Sequence, residues 1–194
     1  MTEAQIQEWV AGMLQGNQEA YRCMYEATKE RVYRTVVLLI GSKQDAPDVV
    51  SEVYAELFKS IGSYRPDRPF QAWLTGIVIR QTRSWNRRLW RKFRIAQRSR
   101  DLEAMEAAPN SEEVLLRRER RLEIADFVHR LSFKLRSVIV LRYYQEQTFE
   151  EIAELLSIPV GTVKSRHHAA LEKLRGYAER SVSRQVKEES AHVH

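Results

Sequence analysis

At 194 residues the chain has room for one domain or two small ones, and 43% hydrophobic with 30% charged residues describes a folded, soluble protein. A lone Cys23 excludes an intramolecular disulfide framework and fits a reducing cytoplasm; no apolar run approaches a membrane span, and the acidic start MTEAQIQEW excludes a signal peptide. The net charge of +6 is concentrated: residues 1–79 carry −2, residues 80–100 hold nine basic side chains and no acid, and residues 101–194 carry −1. Such a block is the footprint of a polyanion partner, nucleic acid or anionic lipid.

With seven Gly, five Pro and no alternating strand-type run, the chain reads as all-α. Helices are expected over about 4–15, 17–40 and 46–61, broken at Gly16-Asn17 and Gly41-Ser42. In 46–61, Val50, Val53, Tyr54, Leu57, Phe58 and Ile61 make a buried stripe and leave Asp48, Val49, Glu52 and Glu56 outside. That acidic face is either a docking surface or an ordinary solvated one. SYRPDRP (residues 63–69) then interrupts the helical pattern.

The next expected helix, 70–93, sets Phe70, Leu74, Ile77, Val78, Gln81 and Trp85 along one side. Gly76, Arg80, Arg83, Arg87 and Arg94 lie along another, flanked by Arg88, Arg91 and Lys92. Guanidinium groups clamp phosphates, and aromatic faces such as Trp73, Trp85 and Trp90 stack exposed bases. The competing readings are tryptophans in a core, favoured for Trp85, and a helix lying on a membrane surface. Residues 95–111, ending in AAPNS, lack apolar periodicity and are expected to form a linker. Ser111-Glu112-Glu113 resembles a helix start, and further helices are expected over 112–131, 134–144, 148–156 and 160–178, before a disordered tail over 181–194. The expected architecture is two small helical domains on a flexible linker.

The stretch TFEEIAELLSIPVGTVKSRHHAALEKLR (residues 148–175) holds two amphipathic segments around SIPVG. At 100° per residue, Val160, Val163, His167, Ala170, Leu171 and Leu174 share one side of the second segment. Gly161, Lys164, Ser165, His168 and Glu172 share the opposite side, with Arg166 and Ala169 at the borders. Ile152, Ala153 and Leu156 supply the matching apolar face, and Pro159 suits the first turn of the second helix. This is the layout of a helix-turn-helix whose second helix enters a major groove, or of a helical hairpin with a solvated face.

Three motifs in this order resemble the extracytoplasmic-function sigma factors of bacterial RNA polymerase. DAPDVVSEVYAELFKSIGSY (residues 45–64) is similar to their region 2.2, and FQAWLTGIVIRQTRSWNRR (residues 70–88) to regions 2.3 and 2.4. LRSVIVLRYYQEQTFEEIAELLSIPVGTVKSR (residues 135–166) is similar to region four. The resemblance implies a region-two domain over 1–94, a linker over 95–111 and a region-four domain over 112–180. It further implies that the protein binds core RNA polymerase, captures the melted −10 element through region two and reads the −35 duplex through region four. Carried onto this sequence, Asp48, Ser51 and Glu52, with exposed Val49 beside them, would bind the polymerase clamp. Arg80, Arg83, Arg87, Arg88 and Arg91 would hold −10 DNA, and Gly161, Thr162, Lys164, Ser165, Arg166 and His168 would meet −35 DNA. An anti-sigma factor, often membrane-bound in this family, is implied as a further partner; neither a small-molecule substrate nor a cofactor is.

Several positions depart from the family pattern. Ser51 stands for the usual Gln, a shorter contact; Arg80 stands where Asn is frequent, and either resets the accepted base or holds phosphate. Ala169 replaces a frequent groove-facing Arg, Ser157 a common turn Gly, and His167 a usual Leu, so His167 is read as a partly buried packing residue. An enzyme is not expected: there is no phosphate-binding glycine loop, no HExxH and no cysteine pair for zinc, and adjacent His167 and His168 point about 100° apart, away from a shared metal. Two other classes compete with a sigma factor. One is a stand-alone helix-turn-helix regulator whose N-terminal half dimerises or senses a ligand; the other is a helical interaction protein with an incidental basic face.

Overall fold

Local capping signals set where each helix begins and ends. Thr2 and Gln5 form a capping box ahead of α1 (Glu3–Leu14), the Gln5 amide donating to Thr2 Oγ1 and the Thr2 amide to Gln5 Oε1. Asn17 caps α2 (Gln18–Ile40) by accepting from the Glu19 amide at 2.9 Å, and Gly41 closes that helix in the left-handed region at φ 76°. Pro47 lies in the first turn of α3 (Ala46–Ser60). A short 3-10 turn (Ile61–Ser63) and the proline-bearing loop lead into α4 (Phe70–Arg100). The computed structural model describes residues 2–100 and 119–191, with side chains outside 92–100, 119–124 and 182–191.

The chain divides into two units, Met1–Glu113 and Val114–His194. In the first, Met24, Val36 and Leu39 of α2, Val49, Val53 and Leu57 of α3, and Phe70 and Ile77 of α4 are shut off from solvent. Helix α3 packs against both α2 and α4. The Thr28 and Tyr54 hydroxyls pair at 2.8 Å inside this core, and burial pushes the Tyr54 phenol up to about 12 despite that bond. Residues 74–79 of α4 are buried on every side. Gly76 is therefore a core residue and no part of the arginine-bearing surface, because two helices clasp this half of α4.

The second unit comprises α5 (Glu119–Arg130), α6 (Phe133–Ile139) continuing into one π-helical turn (Val140–Tyr144), α7 (Phe149–Leu156) and α8 (Val160–Ala191). Leu131, Val138, Leu141, Ile152, Val163 and Ala170 form its core, and α6 and α7 both pack on α8. A second capping box opens α7: the Thr148 amide donates to Glu151 Oε2 at 2.7 Å and the Glu151 amide to Thr148 Oγ1 at 3.2 Å. A Schellman closure ends it, with Ile158 N–H on the Ala153 carbonyl at 3.0 Å and Ser157 N–H on the Glu154 carbonyl at 3.1 Å. Pro159 precedes α8, its carbonyl accepting from the Thr162 and Val163 amides. Helix α7, this turn and α8 make the helix-turn-helix.

All elements among the described residues are helical. Two helices outrun their expected ends. Helix α4 continues through Arg100, into the stretch expected as linker from residue 95, and α8 continues through Ala191, so residues 181–191 are helical where a disordered tail is expected. After Gly176 no Gly or Pro occurs to stop α8. The expected helix start at Ser111 and the rest of the linker lie outside the described residues.

Glu146 (φ 57°) and Ser157 (φ 53°) both sit in the left-handed region, one on each side of α7. A non-glycine residue there costs on the order of 1 kcal/mol. Ser157→Gly is expected to raise the stability of the second unit by about 0.5–1 kcal/mol in urea unfolding, and Ser157→Val to lower it.

Candidate functional site

Helix α3 turns Asp48 and Ser51 to solvent, with the Ser51 hydroxyl donating to its own helix at the Pro47 carbonyl, 2.9 Å away. Val49 does not join them: it is fully buried, at 0% exposure. The expected stripe is drawn for one neighbouring helix, whereas α2 and α4 both pack on α3 and widen its buried arc to include Val49, leaving Val50 half-buried. Glu52 is half-exposed and engaged. Arg88 Nη2 donates to both its carboxylate oxygens, at 2.7 and 2.6 Å, across 36 residues of chain.

That ion pair sorts the arginines of α4. Arg80, Arg83, Arg87 and Arg91 fall within an arc of about 80° and span about 16 Å of helix. All are exposed or half-exposed. Trp90, 63% exposed, borders the same arc, while Trp73 and Trp85 are half-buried. Arg88 alone of the five candidate arginines is turned onto α3. Buried Thr82 completes the far side, its hydroxyl returned to the Val78 carbonyl at 2.8 Å.

A recess that sequence reasoning does not locate opens where the loop meets α4. It encloses roughly 290 Å³ between Ser63, Tyr64, Arg65, Arg68 and Trp73. Tyr64 stacks edge-on against Phe70, and the Tyr64 hydroxyl donates to the Arg68 carbonyl at 3.0 Å, which shapes the rim. Arg80 is not among its lining residues.

In the second unit α8 is anchored by Val163 and Ala170, both at 0% exposure. Gly161, Lys164, Ser165 and His168 are exposed on the outer side, Thr162 and Arg166 half-exposed beside them, over about 10 Å of helix. His168 Nε2 lies 3.5 Å from Glu172. Leu171, expected on the buried side, is 36% exposed, at the edge of the packed face. Tyr143 is a neighbour that the sequence does not single out: it is 59% exposed and its ring stacks on His167 at 5.7 Å. Only the π-helical turn brings it there.

Among the described residues no group of three His, Cys, Asp or Glu side chains is placed to hold a metal. Cys23 is half-buried, and burial and the adjacent Glu19 push its thiol up, away from the reactive thiolate. Among the same residues no helix is long and apolar enough to cross a membrane.

Comparison with known proteins returns two family models in chain order: Sigma-70 region 2 over residues 24–92 and Sigma-70, region 4 over residues 128–176. The ECF RNA polymerase sigma factor SigW of Bacillus subtilis is 27% identical over 180 residues, covering 89% of this chain and 96% of the relative. The ECF RNA polymerase sigma-E factor of Escherichia coli K12 is 29% identical over 174 residues, covering 82% and 86%. Two solved structures share the fold. One is the sigma factor RpoE of Bartonella quintana, determined with the anti-sigma factor NepR (TM-score 0.64, 19% identity, 82% of this chain and 96% of that one). The other is CnrH, determined with the cytosolic domain of CnrY (TM-score 0.63, 23% identity, 91% and 98%).

Between the two halves of the helix-turn-helix and the π-helical turn sits His167, whose Nε2 is 3.0 Å from the Tyr143 hydroxyl and whose ring meets Phe149 edge-on. Burial first, then the charges of Arg142 and His168, hold its pKa below the ordinary imidazole value. The neutral ring is therefore the one the folded unit prefers, and unfolding takes up a proton below the unfolded pKa of about 6.5. Its contribution to stability is fully present above that pH and is lost as pH falls toward the folded pKa. The urea midpoint of the second unit is expected to drop between about pH 7.5 and 5.5, and His167→Leu to flatten part of that drop. Parallel profiles for the two proteins would contradict this.

Proposed function

The chain belongs to the extracytoplasmic-function family of RNA polymerase sigma factors, and we propose from that premise how its surfaces divide the work of promoter recognition. Residues 1–94 are assigned to core binding and −10 DNA, 95–111 to a linker whose first six residues continue α4, and 112–180 to −35 DNA. The observation that carries this division is the separation of charge: an acidic face on α3 and a bare arginine arc on α4 in one unit, a helix with an outward polar face in the other.

On α3, Asp48 and Glu52 offer carboxylates to basic groups of the polymerase clamp, with Ser51 between them; buried Val49 supports the helix from inside. On α4, Arg80, Arg83, Arg87 and Arg91 neutralise phosphates of the melted non-template strand, with Trp90 beside them as a stacking surface. The recess of Tyr64, Arg65, Arg68 and Trp73 has the aromatic walls and guanidinium donors suited to one unstacked base. Arg88 joins this strand only when released from Glu52. On α8, Lys164, Ser165 and His168 face base edges, Arg166 holds backbone phosphate, and the Gly161 amide at the helix start, with the Thr162 side chain beside it, suits another phosphate. Bond making belongs to the polymerase; the chain supplies binding and orientation in the cytoplasm, where polymerase works. An anti-sigma partner, such as the one solved with the Bartonella relative, would act by covering these surfaces.

Selection from a duplex library randomised across the −35 region tests the assignment, using core polymerase with and without the chain. A preferred sequence is expected only when both are present. Lys164→Ala should relax one or two positions, by about 1–3 kcal/mol of base discrimination, and Arg166→Ala should weaken all sequences alike. Identical winners for wild type and Lys164→Ala, or a palindromic preference that needs no core, would overturn it.

A further inference from the structure

We infer that the Glu52–Arg88 ion pair is a latch coupling the polymerase-facing surface of α3 to the DNA-facing surface of α4, so that filling either surface makes the other more available. The inference rests on the proposed assignment of those two surfaces and adds their regulation. Arg88 donates to both oxygens of Glu52, at 2.7 and 2.6 Å, so the carboxylate meant for the clamp and the guanidinium meant for phosphate are spent on each other in the free protein. Neither is trapped: the side chains remain 43% and 40% exposed, within reach of incoming ligands.

A purely structural role is a poor use of this pair. Helices α3 and α4 already pack on each other in a core that includes Val53, Leu57 and Ile77, each at 0% exposure, and exposed ion pairs add little to such a core. Among the described side chains, Arg80, Arg83, Arg87 and Arg91 emerge elsewhere around α4: Arg88 lies about 60° from Arg91 and about 80° from Arg80, on the α3 side. A cation on the polymerase that captures Glu52 therefore frees one more arginine for phosphate. By linkage, a strand that captures Arg88 raises the affinity of Glu52 for polymerase by the same factor.

Phosphate binding is indifferent to sequence, so a fluorescein-labelled single-stranded oligonucleotide of mixed sequence suffices as the DNA probe. In the full chain without polymerase, at low salt, Glu52→Gln should bind this oligonucleotide about 1.5- to 5-fold more tightly than wild type, the range spanned by exposed ion pairs. The gain should vanish in Glu52→Gln/Arg88→Ala, and should shrink as salt screens the pair. On the other surface, Arg88→Ala should bind core polymerase more tightly by a similar factor. Asp48→Arg, whose side chain takes no part in the pair, should lose core binding and so report on the surface itself. If Asp48→Arg binds core normally, the surface assignment fails and the latch with it. If Asp48→Arg loses core binding while Arg88→Ala and Glu52→Gln leave the core and oligonucleotide affinities unchanged, the latch alone is overturned. A gain from Glu52→Gln that persists without Arg88 reflects only the removed negative charge and also overturns it.

Discussion

Helix α4 is buried on every side over residues 74–79 and bare along one arc beyond them, and its continuity passes the packing of the first half to the second. Phe70, Ile77 and the buried threonines lock the azimuth of the helix between α2 and α3. Once that azimuth is set, Arg80, Arg83, Arg87 and Arg91 must emerge on one side, because about 100° separates successive residues. The same lock points Arg88 at α3. A shift of one residue in the buried half would swing the arginine arc by about 100° and dissolve both the proposed phosphate-binding surface and the ion pair.

The second unit uses the same device on a smaller scale. Val163 and Ala170 pin one side of α8 against α6 and α7, which leaves Lys164, Ser165 and His168 facing out. Its turns are strained where the first unit's are relaxed: Gly16 and Gly41 take the left-handed positions there, whereas Glu146 and Ser157 take them on either side of α7. Arg142 braces the first of these turns, donating to the Gln147 carbonyl at 2.9 Å while lying over the Phe149 ring. Rigidity next to the helix proposed to read DNA matters because base discrimination depends on side chains held in register.

Much of this was legible from residue spacing, and the exceptions have physical causes. Helical periodicity locates α3, α4, α7 and α8, and the wheel around Val163 separates the anchored from the exposed residues of α8, apart from Leu171 at its edge. Ser157 in a turn that favours glycine announces its own strain. Val49 misleads because a wheel knows one helix and not how many neighbours it has. Glu52 and Arg88 carry no mark of each other across 36 residues, and Tyr143 reaches His167 only through a π-helical turn that no periodicity encodes. The recess at Trp73 depends on the course of an irregular loop, which composition signals only as a break.

Joined to core RNA polymerase, this chain chooses where transcription begins. The most direct measurement is transcription of genomic DNA by core polymerase with and without the chain, with the 5′ ends of the transcripts mapped. The predicted result is a set of start sites that appears only with the chain and shares two upstream elements at a fixed spacing. Unchanged start sites, with the chain failing to associate with core polymerase, would contradict it.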